Sequence, residues 1–253
     1  MNIDIVDYDK SGYDYIRFWQ SRQYENQSER LALVKLLPKA GNLLVDLGGG
    51  FGRLSDCYCS RFSHCVLLDY SQKNLDQARI LTETKKIANL TTKRGNIYDL
   101  PFKNGEFDCA LMIRVIHHLL QPEKAIKEAA RILKPEGILI LEFANKIHLK
   151  ARLRAWLRGD WGFSKNLNPS KAQTGILINY HPKYIIQILE ATGFTVEKKI
   201  SASHFRIPIL KKIIPMRILL FGESLLQSFP QLSLARFYFG PSVFLYCRKK
   251  TNL

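Results

Sequence analysis

The tract LLVDLGGGFGRL, residues 43–54, sets Asp46, Gly48, Gly50 and Gly52 at alternate positions behind a short apolar run. Glycines after a strand let the backbone approach a ligand closely, and a following helix start offers N–H groups to it. A dinucleotide turn reads Gly-x-Gly-x-x-Gly. Counted from Gly48, that pattern needs glycine at position 53, where the chain has Arg53. A carboxylate at Asp46 repels a pyrophosphate and attracts a cation. The turn therefore suits a nucleoside that carries positive charge. A second chemical group is the pair His117 and His118, just past the apolar stretch FDCALMIR. An imidazole at that place is suited to take a proton from a hydroxyl or phenol near neutral pH. Cys57 and Cys59 lack a matching pair or a histidine cluster, so no metal site is expected.

Such groups need elements to hold them. Residues 28–37 read as a helix closed by Pro38 and Gly41, and a strand follows over 43–46. A helix is expected over about 52–62, a strand over Cys65–Asp69, and a helix from Ser71 as N-cap, with Leu75, Ala78 and Leu81 on one face. Thr91–Arg94, FDCALMIR and ILILEFA (138–144) read as further strands, with a helix from Pro122 to Leu133 between the last two. This alternation predicts a parallel sheet covered on both faces. After Ala144 the rhythm breaks. Residues 145–180 and 203–240 read as insertions, separated by the helix HPKYIIQILEATGF and the strand TVEKKI, and SVFLYCRK (242–249) is the last strand.

The 253 residues carry 46% hydrophobic residues, enough for a sizeable core, and fit one domain. No apolar run is long enough to span a bilayer, and the acidic, aromatic start does not read as a targeting peptide. Five cysteines without a repeating spacing suggest reduced thiols and a cytoplasmic setting. The net charge of +16 is unevenly spread. Residues 1–145 hold 20 basic and 18 acidic side chains, whereas residues 146–253 hold 18 and 4. The second part is thus expected to meet an anionic surface, membrane or nucleic acid, or else to present a solvated basic face.

Four segments in order resemble the class I S-adenosylmethionine-dependent methyltransferases, of the type 11 kind, over residues 40–145. They are VDLGGGFGRL, VLLDYS, GNIYDLPFKNGEFD and VIHHLLQPEKAIKEAARILKPEGILIL. The resemblance implies a Rossmann-like, doubly wound α/β fold: a mostly parallel seven-stranded sheet with helical insertions after strands five and six. It implies S-adenosylmethionine as cofactor, with Gly48 and Gly50 beneath the methionine part and Asp46 near its ammonium. By the same resemblance Asp69 takes the ribose hydroxyls and Tyr70 packs on the adenine. Asn96 replaces the family's aspartate at the adenine amine and can still accept from it, while Ile97 and Ile113 offer backbone contacts.

Within a single domain, residues 1–40 are expected to form a helical lid over the core at 41–145. In that lid, Tyr13, Tyr15, Phe18, Trp19 and Tyr24 are the aromatic members; Arg22 is placed to pair with the methionine carboxylate and Tyr24 to cover the site. The two insertions are expected to cap a small-molecule acceptor site. HLKARLRAWLRGDW puts Leu149, Leu153, Trp156 and Leu157 on one helical face, with His148, Lys150, Arg152, Arg154 and Arg158 flanking it. FRIPILKKIIPMRILLFGESLLQSF is similarly apolar and basic. Both suit peripheral docking to the inner membrane surface and an apolar or lipid-like acceptor. A nucleic-acid substrate is less expected, because the strand-four end reads IRVI and no Pro-Cys nucleophile is present. A scaffold that binds the cofactor without turnover is the remaining reading.

Overall fold

The computed structural model describes residues 15–171, 177–228 and 240–251. The chain opens with α1 (Tyr15–Gln20) and α2 (Gln23–Leu36), then runs into β1 (Gly41–Leu47). A single turn, α3 (Ser55–Tyr58), leads to β2 (Phe62–Asp69), α4 (Gln72–Thr84) and β3 (Leu90–Arg94). Next come β4 (Phe107–Met112), a 3-10 turn at Ile116–His118, α5 (Pro122–Ile132) and β5 (Leu133–Ala144). The first insertion holds α6 (Leu149–Leu157) and a small ribbon, β6 (Ser170–Lys171) with β7 (Ile178–Asn179). Then follow α7 (Pro182–Ala191), β8 (Phe194–Ala202), α8 (Pro208–Ile213), α9 (Met216–Ser228) and β9 (Ser242–Lys249).

The main sheet has seven strands in the order β3-β2-β1-β4-β5-β9-β8. The first five are mutually parallel, and β9 is antiparallel to both of its neighbours. Strand residues alternate between two cores, which is what a sheet covered on both faces requires. Val45, Leu47, Val66 and Leu68 pack with Ala125, Ile126 and Ala129 of α5 and Ile185 of α7. Leu44, Cys65, Cys109 and Leu111 pack on the other face with Ala32, Leu33 and Leu36 of α2. Strand order reverses between β1 and β4, so the loops after these strands flank the crevice where open α/β sheets bind ligands.

Several elements differ from the sequence reading, β5 among them, which begins at Leu133 rather than 138. The helix expected over 52–62 shrinks to one turn, because Gly52 has φ +78° and β2 already begins at Phe62. The first helix proper is longer than expected, starting at Gln23, since Tyr24, Glu25, Ser28 and Glu29 are buried against neighbouring elements. Ser71 caps α4 as read, its hydroxyl accepting the Asn74 N–H at 3.1 Å. All five cysteines are free and buried.

Candidate functional site

The turn after β1 is built on conformations that only glycine adopts cheaply. Gly48 and Gly50 have φ +72° and +57°, and a Cβ on Gly48 would stand 2.5 Å from Val115. The turn is tied to the end of β2 by Asp69. Its Oδ2 accepts the Gly50 N–H at 2.8 Å, and its Oδ1 accepts from Ser71 N at 2.9 Å and from Asn74 Nδ2 at 3.4 Å. Asp69 thereby becomes a fixed carboxylate on the wall of a small cavity of about 90 Å³. Gly48, Gly50, Tyr70, Gly95, Ile97 and His118 share that wall. Tyr15 lies across it: a Cβ on Gly50 would be 3.1 Å from the Tyr15 ring. Asn74, Val115 and Leu119 also line it and had no sequence signal beyond proximity to the motifs.

Several expected cofactor residues stand elsewhere. Asp46 lies beneath the turn, 2% exposed, and does not line this cavity. Burial pushes its carboxyl up to about 7, Asp69 adding to the shift while Tyr58 and Arg53 oppose it. Asn96 turns its side-chain oxygen to the Tyr98 N–H at 2.9 Å, closing a tight turn. Its neighbours Gly95 and Ile97 reach the cavity instead. The DLPF stretch is fixed from α5: Arg131 donates to the Leu100 and Phe102 carbonyls, and Glu128 accepts the Leu100 N–H. Ile113 is buried in the core. Tyr24 is 1% exposed and donates to Glu223 of α9, so it joins two helices rather than covering the turn. Tyr13 lies outside the described residues.

A second, larger cavity of about 700 Å³ opens beside the first, within the range of small-molecule sites. Arg22 lines it, its guanidinium 4.3 Å from the centre of the Phe18 ring. α6 contributes Ala151, Arg154 and Ala155, and its C-cap Arg158 continues the same helical face. The apolar face anticipated from the sequence points the other way: Leu149, Leu153, Trp156 and Leu157 are all exposed. Lys146 and Arg206, from the loops after β5 and β8, and Lys171 of β6 add to the basic lining. Sequence reasoning treated those two only as part of the charge count.

The loop after β4 is the partition between the cavities. Arg114 lines both, with φ +63°, its N–H held by the buried Glu142 carboxylate at 2.8 Å. His117 faces the larger cavity and His118 the smaller, their ring centres 4.3 Å apart. Burial, with Arg114 and His118 adding, holds His117 well below the usual imidazole range. Burial and Arg114 lower His118 to about 4. Both rings are therefore neutral at pH 7. His117 Nδ1 is buried without a hydrogen-bond partner among the described residues. α1 and α2 are pinned to the turn by Arg53, which pairs with buried Glu29, donates to Asn26 and stacks 3.7 Å from the Trp19 ring.

The lining fits S-adenosylmethionine in chemistry, with a glycine cradle a side chain would obstruct, a backbone-anchored carboxylate for ribose, and an aromatic and aliphatic wall at Tyr70 and Ile97, while Tyr15 across the turn leaves less room than the whole cofactor fills. Gly48, Gly50, Asp69, Tyr70 and Ile97 would hold it.

Comparison with known proteins agrees. Residues 45–141 match the model of a family described as "Methyltransferase domain". The chain is 34% identical over 114 residues to the ubiquinone/menaquinone biosynthesis C-methyltransferase UbiE of Ruegeria sp. (strain TM1040). That match covers 44% of this chain and 46% of that protein, so the chain spans about half the length of the curated relatives it matches. Among solved structures, a chain in the complex of the Haloferax volcanii Trm112 methyltransferase activator superposes with a TM-score of 0.63 at 18% identity, covering 94% of each chain. The [4+2]-cyclase SpnF superposes with a TM-score of 0.62 at 16% identity, covering 92% of this chain and 83% of that one. These two likenesses concern the fold. Taken with the glycine turn and Asp69, the matched segment makes residues 45–141 similar to the class I methyltransferases, whose cofactor is S-adenosylmethionine.

Proposed function

We propose that the protein transfers a methyl group from S-adenosylmethionine to a small-molecule acceptor held in the larger cavity. The observation that carries this reading is the shared wall: Arg114 lines both cavities, while His117 and His118 face one each. A cofactor in the smaller cavity and an acceptor in the larger one would thus meet across residues 114–118. Methyl transfer is an in-line displacement, so positioning and exclusion of water supply much of the rate. The cofactor supplies the activated methyl. His117, neutral and facing the acceptor cavity, is the group we assign to take a proton from an acceptor hydroxyl, phenol or acidic ring carbon. The first helices act as a lid and the two insertions as a cap. UbiE's name supports a ring or quinone-type acceptor with an apolar body.

The exposed apolar side chains of α6, α8 and α9, with Lys211, Lys212 and Arg217 among them, support a cytoplasmic protein that docks peripherally on an anionic inner membrane surface. No helix among the described residues is long and apolar enough to cross a membrane. The charge of residues 146–253 also favours a second reading, an RNA substrate. A cofactor-binding scaffold without turnover is a third, since the likeness to a [4+2]-cyclase shows that the fold alone does not dictate methyl transfer.

Calorimetry with S-adenosylmethionine, S-adenosylhomocysteine and NAD is the first test. The two adenosyl compounds should bind and NAD should not, and Asp69→Ala should weaken binding by about 2–4 kcal/mol. Tight NAD binding would sink the reading, and unchanged affinity in Asp69→Ala would sink the ribose assignment. Labelled methyl transfer into a metabolite extract then separates an enzyme from a scaffold.

A further inference from the structure

We propose that the larger cavity recognises a phosphate-type anion on the methyl acceptor; this rests on the methyltransferase reading and narrows its substrate. Seven Arg and Lys side chains line the cavity against three carboxylates. Two of those carboxylates are already engaged, Glu29 by Arg53 and Glu25 by Lys211 at 2.7 Å. Lys146 is buried and Arg22 and Arg114 are half-buried, while Arg154, Arg158, Lys171 and Arg206 are exposed. Burial, with Arg22 and Arg114 adding, presses the Arg206 guanidinium below its ordinary value, although Glu25, 3.8 Å away, and Glu29 oppose the shift. His148 is lowered to about 4 by burial together with Arg206, Arg154 and Lys150. Lys146 is 5% exposed and donates to the Asn166 and Asn168 carbonyls at 2.9 and 2.7 Å, with Asp160 the one carboxylate whose charge reaches it. Such a concentration of like charge is costly unless an anion completes it.

The cofactor cannot be that anion. It brings one carboxylate but also an ammonium and a sulfonium, so its own balance is positive. Arg22 alone would answer the carboxylate. The helical face of α6 turned to the cavity alternates small and basic residues, Ala151 and Ala155 with Arg154 and Arg158, which leaves room above the guanidinium groups. Trp19 Nε1, on the same lining and 5% exposed, is a buried donor with no acceptor among the described residues. Planar guanidinium groups around an open volume with a spare N–H donor match the several acceptor oxygens of a phosphate monoester. A soluble phosphorylated compound and a phospholipid headgroup share this chemistry.

The test uses the full chain, with and without S-adenosylhomocysteine, and calorimetric titration of phenyl phosphate against phenol. Phenyl phosphate should bind at least about tenfold more tightly than phenol. Arg206→Gln and, separately, Arg154→Ala should each lose on the order of tenfold of that affinity. S-adenosylhomocysteine affinity and melting temperature should stay unchanged, and Arg154 is exposed, so its variant is safe for folding. Displacement of the protein from phosphatidic acid vesicles by phenyl phosphate assigns a lipid headgroup, and binding without vesicle association assigns a soluble acceptor; either satisfies the proposal. Equal affinity for the two probes overturns it, as does phenyl phosphate binding that both variants leave intact. Binding of tRNA, lost in both variants where phenyl phosphate never binds, would give the cations to a nucleic-acid backbone and overturn it too. Failure to bind S-adenosylhomocysteine would instead remove the methyltransferase reading, while the titration without it still decides the anion site.

Discussion

Arg114 shows how much depends on single residues at this site. A non-glycine residue at φ +63° costs free energy that its surroundings must offset. Here the offset comes from Glu142, which holds the Arg114 N–H at one oxygen and the Ser242 hydroxyl at the other, fully buried. Locking that backbone fixes the direction of the next turn and so sets His117 and His118 on opposite sides of the partition. The assignment of His117 as base has a definite pH consequence. A base must be unprotonated, so activity should be lost as pH falls below the His117 pKa, which lies well under 6.5, and should be level through neutrality. His117→Gln should lower kcat by about a hundredfold or more while S-adenosylhomocysteine affinity holds. A variant that keeps near-normal turnover on an identified acceptor would make the ring structural.

Between α2, α9 and the loop after β8 lies a buried polar joint centred on Glu223. Its carboxylate, 0% exposed, takes hydrogen bonds from Tyr24, Ser28, Ser203 N, His204 and Gln227. Despite burial, which raises it, His204, Tyr24 and Ser28 hold this carboxyl down at about 2. A carboxyl lowered on folding stabilises the fold above its unfolded pKa, near 4.5, and that stability drains away as pH falls toward 2. Acid unfolding followed by circular dichroism should therefore show a step below about pH 4.5 that Glu223→Gln lacks. At pH 7 the same variant should be less stable by roughly 2–4 kcal/mol, because several buried donors lose a charged acceptor. An unchanged acid limb would show that the joint carries no such linkage. The joint also explains what the sequence could disclose. Leu75 and Ala78 announce α4 because burial repeats along one helix, and glycine spacing announces the turn because φ > 0 restricts the residue type. Tyr24 and Glu223 stand 199 positions apart, and no local pattern records that they meet. Arg22 and Arg206 likewise come together only through folding, so the basic cavity showed in the sequence as net charge alone. The aromatic richness of the N-terminal segment was visible, yet which ring crosses the turn was not: Tyr15 does, and Tyr24 goes to the joint.

Across the whole molecule, charge and exposed apolar surface fall on the same insertions. Trp156 and Leu153 are 55% and 54% exposed on α6, and Ile213 and Phe221 stand out from α8 and α9. Electrostatic attraction to any polyanion fades with salt, whereas apolar insertion into a bilayer persists. Co-sedimentation with anionic vesicles should thus keep a salt-resistant share that a Leu153→Ser, Trp156→Ser double variant loses while folded. Binding to tRNA that outlasts vesicle binding in salt, untouched by the double variant, would favour nucleic acid instead. The partition formed by residues 114–118 has one more consequence, and it concerns the order in which ligands leave. Sulfonium and Arg114 are both cations, so an anion across the partition offsets their repulsion and strengthens the hold on the charged cofactor. Reciprocity requires the cofactor to tighten the anion by the same factor. Methyl transfer erases the sulfonium charge, and this mutual reinforcement ends with it. The reaction itself would then loosen both products, making turnover self-releasing without any separate signal.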